Sequence, residues 1–217
     1  LWRWVMPNWC DNNITITGPN KIIDKIEKCV QAGDDLLDFV CPIPKELKDT
    51  VSGSENAKPD WQKENSEELN FKHGADNWYD WCTTNWGTKW DLCEYYGPSR
   101  NKVDEDTSTI SFGAMSAWSP PLMAFEKFVE QNPDMDVEIL YYEPGCDFMG
   151  SWFNGADECY QCSEDAPRSD SDFWTSEVGQ QLDDAFCITE KLAEYEADQM
   201  EEVQEWYEDG KKELKLV

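Results

Sequence analysis

Tryptophans held in glycine and proline frames constrain this chain more than any other feature. Met6-Pro7-Asn8-Trp9-Cys10, Asn85-Trp86-Gly87-Thr88-Lys89-Trp90-Asp91 and Ala117-Trp118-Ser119-Pro120-Pro121 each join a large ring to residues with restricted or unusual backbones. Glycine admits positive φ, whereas proline fixes φ and offers no N–H. A ring beside such a residue marks a turn that must pack in one way. Within a sandwich of sheet and helices, rings at these places read first as core and turn braces.

Hydrophobic periodicity supplies the elements between those turns. Asn13-Ile14-Thr15-Ile16-Thr17 alternates polar and β-branched residues, the two-residue period of a strand, and Gly18-Pro19-Asn20 stops it. Asn20 is placed to cap a helix carrying Ile22, Ile23, Ile26, Cys29 and Val30, which ends near Gly33. Leu36 to Ile43 reads as a short irregular strand. Thr50 to His73 is polar, contains Pro59 and lacks periodicity, which predicts a surface loop inserted at about residues 50–75. A short helix with Trp78, Trp81, Cys82 and Trp86 on an aromatic face follows, ended by Gly87. Lys89 to Tyr96 and Thr107 to Trp118 predict two strands around a loop from Gly97 to Asp106. Ser119 then reads as the N-cap of a helix with Pro120 and Pro121 in its first turn and Leu122, Phe125, Phe128 and Val129 buried. Val137 to Tyr142 predicts a further strand, and Phe148 to Phe153 an added edge strand. Without the insertion, the order is β-α-β-β-α-β, an α+β fold of the ferredoxin-like, split βαβ kind with an antiparallel sheet.

The three tryptophan motifs, with a closing Tyr142-Glu143-Pro144-Gly145 and Phe148-Met149-Gly150, resemble the YubB ferredoxin-like family over roughly Met6 to Phe153. That family consists of small phage and plasmid proteins that open with MPNWC, carry a WGTKWD and an AWSPP block, and close on a Glu-Pro-Gly. The resemblance implies a ferredoxin-like core and a mobile-element origin. Members have no established reaction, so it transfers no catalytic residue.

Charge narrows the classes of partner. Over 217 residues, 46 Asp and Glu against 18 Lys and Arg leave a formal charge of −28. Such a field repels nucleic-acid backbones and anionic lipid and attracts basic protein surfaces in a salt-dependent way. Between Gly155 and Asp209, eighteen acids face only Arg168 and Lys191, so this region supplies a net −16. The chain therefore divides into residues 1–5 ahead of the family-like start, a core at 6–153, and an acidic extension at 154–217. Gln180 to Asp209 has Leu182, Phe186, Leu192, Val203 and Tyr207 near helical spacing, which predicts one long helix. No apolar run nears the roughly 20 residues that span a bilayer. Nine cysteines, with no basic and apolar leader ahead of them, suit a reduced cytoplasmic thiol set in a bacterial host.

Three constellations carry candidate chemistry. Glu190, Glu194 and Asp198 recur every four residues, and Glu201 and Glu205 continue the row. Like charges at that spacing cost an isolated helix a few tenths of a kcal/mol per pair. Such a row is either a solvated face or a surface for a basic partner, including one that normally holds nucleic acid. Cys159-Tyr160-Gln161-Cys162 has the spacing of a zinc knuckle, with Cys146 and Cys187 as further ligands. The lack of a second such pair favours ordinary thiols over a structural zinc, with a disulfide or redox pair as the third reading. Trp86, Lys89, Trp90 and Asp91, with Trp118, define a candidate pocket for a small ligand or peptide, in which Lys89 can instead pair with Asp91 or Glu143.

Enzyme chemistry finds little support. The one histidine, His73, falls in the predicted loop, and neither a P-loop nor a dinucleotide fingerprint is present. The expectation is a non-enzymatic phage or mobile-element accessory protein, without cofactor, that binds and obstructs a basic host protein such as a nucleic-acid-processing or defence enzyme. Two other classes compete with it: a ligand- or peptide-binding module, and a structural component of a phage particle or complex.

Overall fold

The structure, a computed structural model, describes residues 8–214, without the side chains of residues 205 and 208–214. The predicted extension at residues 1–5, with Met6 and Pro7 of the first motif, lies outside the described residues. The chain forms two units that divide between Cys159 and Tyr160.

In the first unit, β1 (Trp9–Pro19) leads into α1 (Asn20–Ala32), α2 (Leu36–Val40), α3 (Lys45–Lys48), a 3-10 turn (Glu55–Ala57), α4 (Asp60–His73) and α5 (Trp78–Asn85). Then come β2 (Cys93–Lys102), β3 (Thr107–Ala117), α6 (Leu122–Gln131), β4 (Asp136–Glu143), β5 (Phe148–Phe153) and β6 (Ala156–Gln161). The strands form one six-stranded antiparallel sheet in the order β2-β3-β1-β4-β5-β6. The protein is thus an α+β protein with an open sheet. β1 lies between β3 and β4, so the helical connections from β1 to β2 and from β3 to β4 each pass over one intervening strand.

Alternation along β1 fixes which face is covered. Cys10, Asn12, Ile14 and Ile16 are buried, while the residues between them are only half-buried. Register sets Ile14 beside Phe112 and Ile139, and Ile16 beside Ile110 and Val137, so two rows of apolar side chains cross three strands. Ile23, Ile26 and Val30 of α1 and Phe125 and Phe128 of α6 belong to the same core cluster. On the other face, Thr15 bonds Ser111 at 3.0 Å and Thr17 bonds Thr109 at 2.7 Å. Hydroxyl pairs of this kind suit a face that is not packed under helices.

Several elements differ from those the periodicity predicts. Leu36–Val40 is helical, because its first turn is capped from a distant part of the chain, as described below. The polar insertion contains α4, which buries only Gln62 and Leu69 and so leaves no apolar stripe in the sequence. Gln62 is buried yet satisfied: its amide donates to Val51 O at 2.9 Å and Asp76 O at 3.0 Å, and its carbonyl accepts from Val51 N. β2 runs through Gly97 and Pro98 to Lys102 where a loop is expected. It is an edge strand with register shifts on either side of Tyr96, and such a strand tolerates both residues. Pro19 and Pro121 occupy the N-cap positions expected of Asn20 and Ser119. Asn20 instead donates to Glu105 O and accepts from Ser108 and Arg100. Phe148–Phe153 is not the sheet's edge, since β6 lies beyond it.

The second unit holds α7 (Cys162–Asp165), a 3-10 turn (Asp172–Thr175), α8 (Glu177–Phe186) and α9 (Ile188–Leu214). The single predicted helix is two, broken at Cys187, which adopts φ 52°. Asp183 enforces the break by accepting from the amide and the hydroxyl of Thr189, both at 2.7 Å. Among the described residues, no helix is long and apolar enough to cross a membrane.

Candidate functional site

The tryptophan motifs meet where α5 turns toward β2. Asn77 caps α5 by accepting from Asp80 N at 2.9 Å, and Gly87, at φ 82°, redirects the chain after Trp86. Trp86 is buried and donates its indole N–H to Cys41 O at 2.7 Å, with Trp81 set edge-on at 6.0 Å. Thr88 donates to Ala117 O at 2.9 Å and accepts from Ala117 N at 3.1 Å, and Ser119 donates to Gly87 O. The second and third motifs are therefore tied together by backbone-directed bonds. The first motif meets the closing Glu-Pro-Gly in the same manner. Asn8 donates to Cys146 Sγ at 3.3 Å, the buried Glu143 accepts from Cys146 N, and a Cβ at Gly145 would sit 2.9 Å from the Asn8 amide.

Asp91 is the pivot of this region. Its carboxylate accepts from Leu37 N, Asp38 N and Leu92 N, each at 2.8 Å, and so holds the open amides at the start of α2. Burial raises its carboxyl to about 6, although the three N–H donors oppose that shift. Lys89 pairs with neither Asp91 nor Glu143. Its ammonium lies 4.5 Å from the Trp90 ring centre, with Tyr79 at 5.7 Å and Trp118 at 5.8 Å. Trp9 leans on Trp90 from 6.1 Å.

A cavity of about 320 Å³ opens beside this pivot. Its apolar lining is the buried Trp86 and Cys82 with the half-buried Trp78, Trp90 and Ile43. Asp35, Asp38, Lys48 and Asp91 supply its charged groups. Of the predicted pocket, Trp86, Trp90 and Asp91 line the cavity together. Lys89 and Trp118 do not; the Lys89 ammonium lies over the rings of Trp90 and Trp118, and Trp118 is 46% exposed at φ 71°. Asp35, Asp38 and Lys48 were not legible as site residues, because some 40 to 55 residues separate them from the motif they face. Their only local signal is the pair of carboxylates flanking Leu36-Leu37.

The predicted acidic surface lies on α9. Glu190, Glu194, Asp198 and Glu201 are exposed there, and Glu205 has its side chain outside the described residues. At 3.6 residues per turn, these four fall within about a quarter of the helix circumference. Tyr195, Val203 and Trp206 lie on the opposite side and are 63%, 64% and 78% exposed. Glu196 is a different kind of carboxylate: it accepts from the amide and the hydroxyl of Ser169 and holds the preceding loop to α9.

All nine cysteines are free. Among the described residues, no three His, Cys, Asp or Glu side chains gather as a metal site; of the predicted zinc ligands, Cys146 and Cys159 belong to the first unit and Cys162 and Cys187 to the second. Burial raises the thiols of Cys10, Cys29, Cys41, Cys82 and Cys93, to about 11 for Cys29 and about 12 for Cys82. Such thiols stay protonated and weakly nucleophilic. His73 is largely buried, its Nε2 without a hydrogen bond and 3.9 Å from Glu46.

No family model and no curated protein matches the chain. Among solved structures, the chain is matched to the crystal structure of a protein api92 from Yersinia pseudotuberculosis, family DUF1281, at 11% identity and a TM-score of 0.34, covering 72% of this chain and 95% of that one.

Proposed function

We propose that the protein is a non-enzymatic accessory protein of phage or mobile-element origin that docks on a basic host protein through α9 and obstructs it. The exposed row Glu190, Glu194, Asp198 and Glu201 carries this reading. From Ile188 to Asp209, nine carboxylates oppose Lys191 alone. Over about 33 Å of helix, this is one net charge per about 4 Å, close to the 3.4 Å of a single nucleic-acid strand. A surface built to hold a phosphate backbone is therefore a fitting partner, for instance that of a nucleic-acid-processing or defence enzyme. Tyr195, Val203 and Trp206 form a separate exposed apolar strip on the other side of α9, outside the acidic row that this reading uses.

The core acts as the carrier of that helix. A ferredoxin-like assignment is supported by β1 lying between β3 and β4 under two crossing helical connections. Membership of the YubB ferredoxin-like family is supported by the motifs, in which Asn8, Trp86, Thr88 and Ser119 make turn-locking contacts. The free thiols favour a cytoplasmic setting.

The test is capture from host lysate by the full chain and by Glu190→Lys/Glu194→Lys/Asp198→Lys, at low and high salt, read by mass spectrometry. A basic protein retained by the parent at low salt, released at high salt and absent from the charge-reversed variant is the expected result. Equal capture by both proteins removes α9 as the interface. The cavity favours a second reading, a ligand-binding core, because it joins indole walls to carboxylates in one concave site.

A further inference from the structure

We propose that the cavity between α2, α5 and the Trp86–Asp91 turn is a binding site for an organic cation, an ammonium or guanidinium group. It is independent of α9, and its occupant is either a basic side chain of a polypeptide or a free polyamine.

The walls argue for a cation. Indole rings attract positive charge to their faces, and Trp90 already holds the Lys89 ammonium at 4.5 Å. Trp9 also packs against Trp90, with ring centres 6.1 Å apart. Trp78, half-buried, lines the same cavity. The charged groups argue the same way. Lys48 occupies one of them, bonding Asp38 at 2.5 Å, and Asp38 also accepts from Ile43 N. Asp91 is held by backbone amides alone. Asp35 is exposed at the start of α2 and its side chain makes no capping bond, so its carboxylate is available to a ligand. The cavity therefore sets three carboxylates against the single Lys48 ammonium, which disfavours phosphates and nucleotides and favours positive charge. A volume of about 320 Å³ takes a guanidinium or a butylammonium arm with its hydration, at the small end of ligand pockets.

The experiment is calorimetric titration of the full chain with N-acetyl-arginine methylamide, its neutral isostere N-acetyl-citrulline methylamide, and spermidine. Indole N–H resonances are followed in parallel. The arginine derivative should bind about tenfold more tightly than the citrulline one, because the isostere lacks the charge that the rings and carboxylates recognise. Asp35→Asn should weaken it about three- to fivefold, and Asp34→Asn, which changes a neighbouring exposed carboxylate outside the cavity, less than twofold. The indole resonances of Trp78 and Trp90 should move with the same midpoint. Tighter binding of spermidine with the same Asp35 dependence supports the site and assigns it to free polyamines. Tighter binding of the arginine derivative supports it and assigns it to a polypeptide side chain. Equal binding of arginine and citrulline derivatives, equal losses in the two aspartate variants, or unmoved Trp78 and Trp90 resonances would overturn the proposal.

Discussion

Asp91→Asn sets two effects of opposite sign against each other. Three backbone amides at 2.8 Å favour the charged carboxylate, and burial beside Trp86 and Trp90 disfavours it. Burial prevails, raising the group from 3.8 to about 6. The folded protein then binds this proton more tightly than the unfolded chain does. Its stabilising contribution is complete below about pH 4 and is lost as the pH rises through about 6. Those two values imply a loss of about 1 to 2 kcal/mol by pH 5 and about 3 kcal/mol by pH 7. Asparagine keeps the shape and one carbonyl acceptor but turns an NH₂ group toward one of the three amides, at about 1 kcal/mol, independent of pH. The variant should be less stable than the parent by about 1 kcal/mol at pH 4, equal to it near pH 5, and more stable by about 2 kcal/mol at pH 7. Urea unfolding of both proteins at pH 4.5, 6 and 7.5 and constant ionic strength reads that difference. Self-repulsion of the −28 chain acts on both proteins and largely cancels. A deficit that stays constant, or that widens as the pH rises, would refute the reasoning and show that the amides outweigh burial.

Other substitutions probe the bracing around the site. Trp86→Phe leaves Cys41 O without its donor and a gap in the lining of the cavity, and should cost about 2 to 4 kcal/mol in denaturant unfolding. Gly150→Ala and Gly113→Ala form a contrasting pair. An added Cβ at Gly150 meets Glu158 O at 2.4 Å and the Tyr141 hydroxyl at 2.3 Å, so backbone must shift, at about 2 to 3 kcal/mol. At Gly113 it meets only the ring of Tyr96, which is 45% exposed and swings aside, so the loss should stay below about 1 kcal/mol. Equal midpoints for the two variants would contradict this distinction. Cys187→Gly relieves a positive φ between α8 and α9 and should leave the helical content unchanged or slightly higher by circular dichroism.

Local pattern was enough for the elements whose burial follows a regular period. β1 alternates because helices cover one of its faces, and α1 repeats its isoleucines because one side meets that sheet. α4, α2 and β2 lacked such a signal, for three different reasons. α4 buries a glutamine and a leucine, so its inner side is no more apolar than its outer one. α2 is five residues long and depends on a carboxylate more than 50 residues later. β2 is an irregular edge strand whose glycine and proline imitate a turn. The acidic row on α9 was legible because a helix face is set by spacing alone. Its break at Cys187 was not, because Asp183 and Thr189 make it with side chains. The sequence by itself determined the charge, the alternation of β1 and the turns at which tryptophans must pack. Only the tertiary structure decided that Asp35 and Asp38 face Trp78, Trp90 and Asp91 across one cavity, since long-range proximity arises from packing and leaves no period in the chain.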